Sequence, residues 1–255
     1  NRCISGLYSP GSTYKLVTAL HAIENEKFDK NQTFYCSGHV QFGNRRFHCW
    51  KKEGHGKLNL FGAIMKSCDC YFYNLAKKMD IDRLSSFSNE FSFGKLTDID
   101  IPNELKGIMP NRNWKIKNRG EKWQRGETLN TVIGQGFMLS TPLQMTLMTA
   151  RIASGKKIIP SIIYKNRFFE PLNISEKNLD FIRNSMFAVV NDSEGTGYNS
   201  RISSKFKMAG KTGTSQVRKI SLKEREDGVI KNDKLDYKLR DHSIFTCFAP
   251  FNDPK

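Results

Sequence analysis

The sequence predicts a mixed α/β (α+β) fold. Two observations carry that expectation. Several stretches place apolar residues at helical spacing behind recognisable caps, and two runs near the C-terminus, 206–217 and 242–250, read as strands. A third bounds it: 255 residues with 38% hydrophobic side chains can build a core and are too apolar for wholesale disorder.

The elements follow in order. Pro10 and Gly11 stop the preceding chain, and Leu16, Val17, Ala19, Leu20, Ala22 and Ile23 then recur at helical spacing, so a helix starts near Ser12. Residues 34–56 are aromatic, glycine-dotted and irregular, and 58–79 are apolar and mostly helical. Residues 98–125 look loop-like, with Pro102, Pro110, Trp114 and Trp123 in a basic setting. Thr141-Pro142-Leu143-Gln144 opens another helix, with Thr as N-cap, Pro at the first helical position and Gln closing a capping box; Gly155 can end it. A further helix is expected over 175–190 with Ser175 as N-cap, and the charged segment 218–240 reads as a long excursion between the two strands. No run approaches the ~18 apolar residues of a membrane span.

The formal net charge is +16. Its densest runs, 112–125 and 205–238, are interleaved with acids or broken by turns, and no helix carries a continuous basic stripe. Without aromatic–basic interleaving or a helix-turn-helix pattern, nucleic acid is not an expected partner. The chain starts without Met and ends on a turn-like Asn252-Asp253-Pro254-Lys255, so it reads as a piece of a longer protein, which leaves a membrane anchor outside it open.

Three short motifs carry chemistry: Ser12-Thr13-Tyr14-Lys15, Ser67-Cys68-Asp69 and Lys211-Thr212-Gly213-Thr214. Each is weak alone. On a helix, Ser12 and Lys15 share a face, so the amine can reach the hydroxyl. A serine becomes nucleophilic when a base takes its proton, and lysine can be that base only as the neutral amine, which burial and nearby positive charge favour. Ser67 and Asp69 can enter one cleft only if the chain leaves helical geometry there, which turns Cys68 the other way. Ser67 could then shuttle a proton, with Asp69 fixing the geometry. In the third motif Gly213 lets a substrate backbone approach a strand, Lys211 offers positive charge near the nucleophile and for a substrate carboxylate, and Thr212 and Thr214 offer hydroxyls. Backbone N–H groups of Ser12 and Thr214 could form an oxyanion hole.

Cys36, Cys49, His55 and Cys68 fall in one window. Three cysteines and a histidine suit a tetrahedral structural zinc site. A disulfide and unlinked thiols are the other possibilities at this point.

In this order, the three motifs resemble the signature of the penicilloyl-serine transferases, and the sequence around them is similar to the elongation-specific penicillin-binding protein 2 subgroup of class B penicillin-binding proteins. Gly6 to Lys15, Phe47-His48-Cys49-Trp50-Lys51, Gly54-His55-Gly56, Ser67 to Tyr73, Gly126-Glu127-Thr128, Ile133-Gly134-Gln135-Gly136, Thr141 to Gln144 and Asp241-His242 carry the resemblance, across essentially the whole chain. It implies an antiparallel sheet flanked by helices plus a helical subdomain, incomplete at both ends: a single transpeptidase domain over 1–255, mainly helical over 1–200, with sheet strands over 201–255. With its outer strands missing, such a piece is expected to be poorly stable alone.

By motif, the resemblance implies Ser12 as acylated nucleophile, Lys15 as base, Ser67, Asp69 and Lys211 as catalytic partners, and Thr212, Gly213 and Thr214 as substrate-binding. Many members have Asn where Asp69 stands, but Asp fits this subgroup. It also implies zinc on Cys36, Cys49, His55 and Cys68, and no organic cofactor. Cys3, Cys70 and Cys247 are left as buried small thiols. The implied activity is a peptidoglycan D,D-transpeptidase of cell elongation, acylated by β-lactams, on the periplasmic face of the bacterial inner membrane. A SEDS-family glycosyltransferase and elongation-complex proteins are its implied partners. Rival expectations are a β-lactamase, for which no motif supplies a base for deacylating water, and a non-catalytic β-lactam sensor. Around such a cleft, the basic loops would draw in anionic wall precursors or rest on an anionic membrane.

Overall fold

The computed structural model describes residues 1–163, 168–202, 206–218, 220–221, 224 and 229–254. Its helices are α1 (Arg2–Ser5), α2 (Lys15–Glu24), α3 (Leu60–Met65), α4 (Asp69–Ala76), α5 (Ile81–Ser88), α6 (Arg112–Arg119), α7 (Arg125–Thr131), α8 (Pro142–Ser154) and α9 (Glu176–Asn191). The strands are β1 (Phe34–Cys36), β2 (His39–Phe42), β3 (Arg45–His48), β4 (Gly56–Leu58), β5 (Ala209–Ser215) and β6 (His242–Phe248). All three two-stranded sheets, β1–β4, β2–β3 and β5–β6, are antiparallel. Among the described residues, no helix is long and apolar enough to cross a membrane.

α2 is the central rod. Leu16, Val17, Ala19 and Leu20 are buried on it, and α3, α4, α5 and α9 close around it. α8 begins as its capping box requires: the Thr141 hydroxyl accepts from the Gln144 amide at 3.2 Å, and the Gln144 side-chain oxygen accepts from the Thr141 amide at 2.9 Å. Gly155 ends it in the left-handed conformation. α9 follows Ser175 and packs on β5, fixing the strand that carries the third motif.

Several expectations need correction. The Ser12 region opens with a 3-10 turn, Gly11–Tyr14, before α2. Residues 34–56 are ordered as two small antiparallel sheets, with Phe47 packed on Tyr73 and Phe42, so strands are not confined to 201–255. Within 98–125 lies α6, capped by the Asn111 side chain accepting from the Trp114 amide at 2.8 Å and ended by Gly120. The strand expected over 206–217 is seven residues, Ala209–Ser215. Of the excursion 218–240, residues 219, 222–223 and 225–228 lie outside the described residues; 3-10 turns occupy Asn232–Lys234 and Tyr237–Leu239. Cys70 is buried, but Cys3 and Cys247 are exposed.

Candidate active site

The second motif sits at a break between helices. α3 ends in a Schellman motif: the Cys68 amide donates to Ala63 O at 2.9 Å, the Ser67 amide to Ile64 O at 3.2 Å, and Ser67 holds the left-handed position with φ 53°. Glycine usually takes that place, and for serine it costs about 1 kcal/mol or more. α4 restarts at once, with Cys68 as its N-cap and Asp69 in its first turn. The chain leaves helical geometry here as the spacing of Ser67 and Asp69 demands, through the left-handed Ser67 followed by an extended Cys68.

Lys15 fills the junction. Its Nζ donates to Asp69 Oδ1 at 2.7 Å, to Ser67 O at 2.8 Å and to Ser67 Oγ at 3.4 Å. Lys211, from β5, donates to Ser67 Oγ at 2.8 Å and to Thr212 O at 3.0 Å. Both lysines are 0% exposed, and Ser67 Oγ is the atom they share. Burial first, and the Lys15 charge second, push Lys211 well below the usual lysine range. Neither lysine lines the open cleft. The expectation that Lys211 also meets a substrate carboxylate directly therefore has no support in its placement. Thr212 and Thr214 carry hydroxyls on that wall.

Ser12 is half-buried and lines the same cleft as Ser67, Asp69, Thr212, Gly213 and Thr214. In a 3-10 turn, residues three apart eclipse, which puts the Ser12 and Lys15 side chains on one side. The turn lies directly on β5. A Cβ at Gly11, where φ is +56°, would stand 2.4 Å from Thr214 O, so only glycine allows this approach. Gly134 supports the turn from behind: its carbonyl accepts from the Gly11 amide at 2.9 Å, and any Cβ there would strike Gly11 O at 2.2 Å. Beside it, the Gln135 side chain donates to Thr214 O at 2.8 Å.

Three residues outside the motifs complete the site. The Trp50 amide donates to Asp69 Oδ2 at 2.9 Å and its indole N–H to Ser67 O at 3.1 Å, so both carboxylate oxygens are held. Thr196 Oγ1 lies 2.6 Å from Thr212 Oγ1, and Gln135 bonds to β5 beside the Gly134 that supports the Ser12 turn. The sequence pointed to Gln135 and Trp50 only through the resemblance, and to Thr196 not at all.

The donor atoms of Cys36, Cys49, His55 and Cys68 lie within 4.8 Å of one another. His55 Nδ1 is 3.6 Å from Cys36 Sγ and 3.5 Å from Cys49 Sγ. A tetrahedral zinc with the usual bond lengths to sulfur and nitrogen has an S···N edge of about 3.5 Å, so the donors already stand at the spacing the ion needs. The three thiols are buried, and Cys68 faces them while its neighbours Ser67 and Asp69 face the cleft.

Residues 1–255 match the penicillin binding protein transpeptidase domain. The peptidoglycan D,D-transpeptidase MrdA of Acinetobacter baumannii is 34% identical over 270 residues, which take in 100% of this chain and 39% of that protein. MrdA of Escherichia coli K12 is 34% identical over 270 residues, 100% of this chain and 42% of its own. Among solved structures, PBP2 of Helicobacter pylori in complex with MreC shares 38% identity at a TM-score of 0.88, over 100% of this chain and 45% of its own. PBP2 of Pseudomonas aeruginosa in complex with WCK 5153 shares 34% identity at a TM-score of 0.86, over 100% of this chain and 56% of its own. The chain thus spans less than half the length of these curated relatives, and its fold is the one the resemblance implied.

The burial of Lys211 has a measurable sign. Its folded pKa is depressed, so between that value and the ordinary lysine pKa the unfolded state binds more protons, and stability rises with pH. In urea unfolding of the intact protein from pH 7 to pH 10, wild type should gain stability relative to Lys211→Met as the pH rises. A drift the other way would mean that Lys211 is held as a cation.

Proposed function

The chain belongs to the penicillin-binding protein transpeptidase family, and from that premise we propose that it is the catalytic part of a peptidoglycan D,D-transpeptidase that cross-links stem peptides during cell elongation. The observation that carries this reading is the convergence of Lys15 and Lys211 on Ser67 Oγ, beside a cleft shared by Ser12 and the 212–214 strand.

In this mechanism the D-Ala-D-Ala end of a stem peptide lies along β5, and Gly213 leaves room behind the strand for the Ser12 turn, since a Cβ there would stand 3.0 Å from Thr13 Cγ2 and 3.2 Å from Pro10 O. Lys15, once deprotonated, takes the proton of Ser12, whose oxygen bonds to the penultimate carbonyl carbon, and the Asp69 carboxylate at 2.7 Å favours the ammonium that this leaves. Amides of Ser12 and Thr214 receive the developing oxyanion. Ser67 passes its proton to the departing D-Ala nitrogen as the C–N bond breaks, and Lys15 returns a proton to Ser67. Asp69 keeps Lys15 in register throughout. An acceptor amine then attacks the acyl-enzyme by the reverse path. Thr212 and Thr214 hold the terminal carboxylate, with Thr196 fixing the Thr212 hydroxyl. β-Lactams would acylate the same serine.

Cys36, Cys49, His55 and Cys68 would hold a structural zinc ion, which crosslinks the two small sheets to the start of α4 and takes no part in the chemistry. The native setting consistent with the relatives is the periplasmic face of the inner membrane, through an anchor outside this chain. MreC-like and SEDS-type partners fit that setting: solved relatives include PBP2 with MreC and a peptidoglycan synthase complex.

Ser12→Ala in the full-length protein should abolish covalent penicillin labelling; an adduct that persists at another residue would refute the nucleophile assignment. Native mass spectrometry should find one zinc per chain, and Cys49→Ser should lose it and lower Tm by several degrees. A metal-free wild type with the same Tm as the variant would remove zinc from the account.

A further inference from the structure

The cleft that holds Ser12 extends onto the β2–β3 hairpin, where Gln41, Asn44, Arg45 and Arg46 line it. The hairpin is a fixed platform. β2 and β3 pair over Phe42↔Arg45, Gln41↔Arg46 and Val40↔Phe47, and Phe47 is buried against Tyr73 at 5.5 Å. Anchored there, the strand presents Arg45 and Arg46 exposed. Among the described arginines, Arg83, Arg112, Arg183 and Arg218 are matched to carboxylates, while Arg2, Arg119, Arg125, Arg151, Arg201 and Arg240 are not but lie outside this cleft. Among the described residues, neither Arg45 nor Arg46 has such a match.

The balance of charge on the cleft wall sharpens this. Lys15 and Lys211 are buried and turned onto Ser67, and Asp69 is paired with Lys15. Among the described lining residues, that leaves Arg45 and Arg46 as the exposed full charges, both positive. A guanidinium fork matches a carboxylate in two parallel hydrogen bonds. The cleft, about 1490 Å³, exceeds what a dipeptide end needs.

Resting on the function proposed above, we propose that Arg45 and Arg46 form a second carboxylate subsite in the cleft, which takes an acidic side group of a peptide substrate away from the reacting bond. The terminal carboxylate stays with Thr212 and Thr214. The acidic group can belong to the donor peptide or to the acceptor peptide, and the two differ in the step that they accelerate.

The test uses the full-length enzyme, wild type and Arg45→Gln/Arg46→Gln, with rates referred to the fraction of sites that penicillin labels. Donors are pentapeptides ending in D-Ala-D-Ala with the acidic side group free or amidated, and acceptors are paired in the same way. Amidation should lower wild-type kcat/KM about tenfold, and the double variant should lose the same factor with the free peptide and nothing more with the amide. A loss in D-Ala release assigns the subsite to the donor; a loss only in the ratio of aminolysis to hydrolysis assigns it to the acceptor. Equal loss on free and amidated peptides, or no loss on either, overturns the subsite. A wild type that penicillin does not label overturns the functional reading instead, and the subsite with it.

Discussion

The site depends on one buried ion pair, Lys15 with Asp69 at 2.7 Å. Two lysines lie fully buried around Ser67, and Asp69 is the carboxylate that balances them. An uncompensated buried ammonium is costly, and removing one partner of such a pair typically destabilises by about 3–5 kcal/mol. The surrounding structure serves that pair. The left-handed Ser67 ends α3 early enough for its carbonyl to receive Lys15, and the first turn of α4 gives Asp69 a favourable helix terminus. Trp50 holds the second carboxylate oxygen, so Asp69 cannot turn away.

The same arrangement explains why the cysteine–histidine cluster lies where it does. Cys49 is followed by Trp50, and Cys68 separates Ser67 from Asp69. Whatever fixes Cys49 and Cys68 to one another also fixes the two chain segments that orient Asp69. The cluster thus acts on the site through backbone position, one residue away on either side of the thiols.

Much of this was legible in the sequence where the signal was local. The Thr141 capping box, the Gly155 stop, the helix after Ser175 and the break at Ser67-Cys68-Asp69 are rules of a few adjacent residues, and the structure has all of them. The two sheets of residues 34–58 were not legible, because three- and four-residue strands owe their order to long-range contacts such as Phe47 on Tyr73 and to the cysteine cluster. α6 was hidden by its basic, Trp-containing sequence, though Asn111 and Gly120 bracket it as cap and stop. The placement of Lys211 was unreadable for another reason: whether a lysine on a strand points to substrate or into the core depends on what packs behind it, here Lys15 and Ser67. The large positive charge likewise meant little until burial sorted it. Three of its lysines, Lys15, Lys115 and Lys211, are interior, Arg83, Arg112, Arg183 and Arg218 are paired with carboxylates, and Arg45 and Arg46 stand in the cleft.

If the Lys15–Asp69 pair holds the proposed base in place, acylation must depend on Asp69. The most direct measurement is the rate of acylation by a β-lactam in the full-length protein for Asp69→Ala, with Asp69→Asn, which keeps an acceptor oxygen, as the companion. The account predicts a fall of about a hundredfold for Ala, from the lower part of the buried-pair range, and a much smaller one for Asn. An Ala variant that stays folded and acylates within twofold of wild type would contradict it.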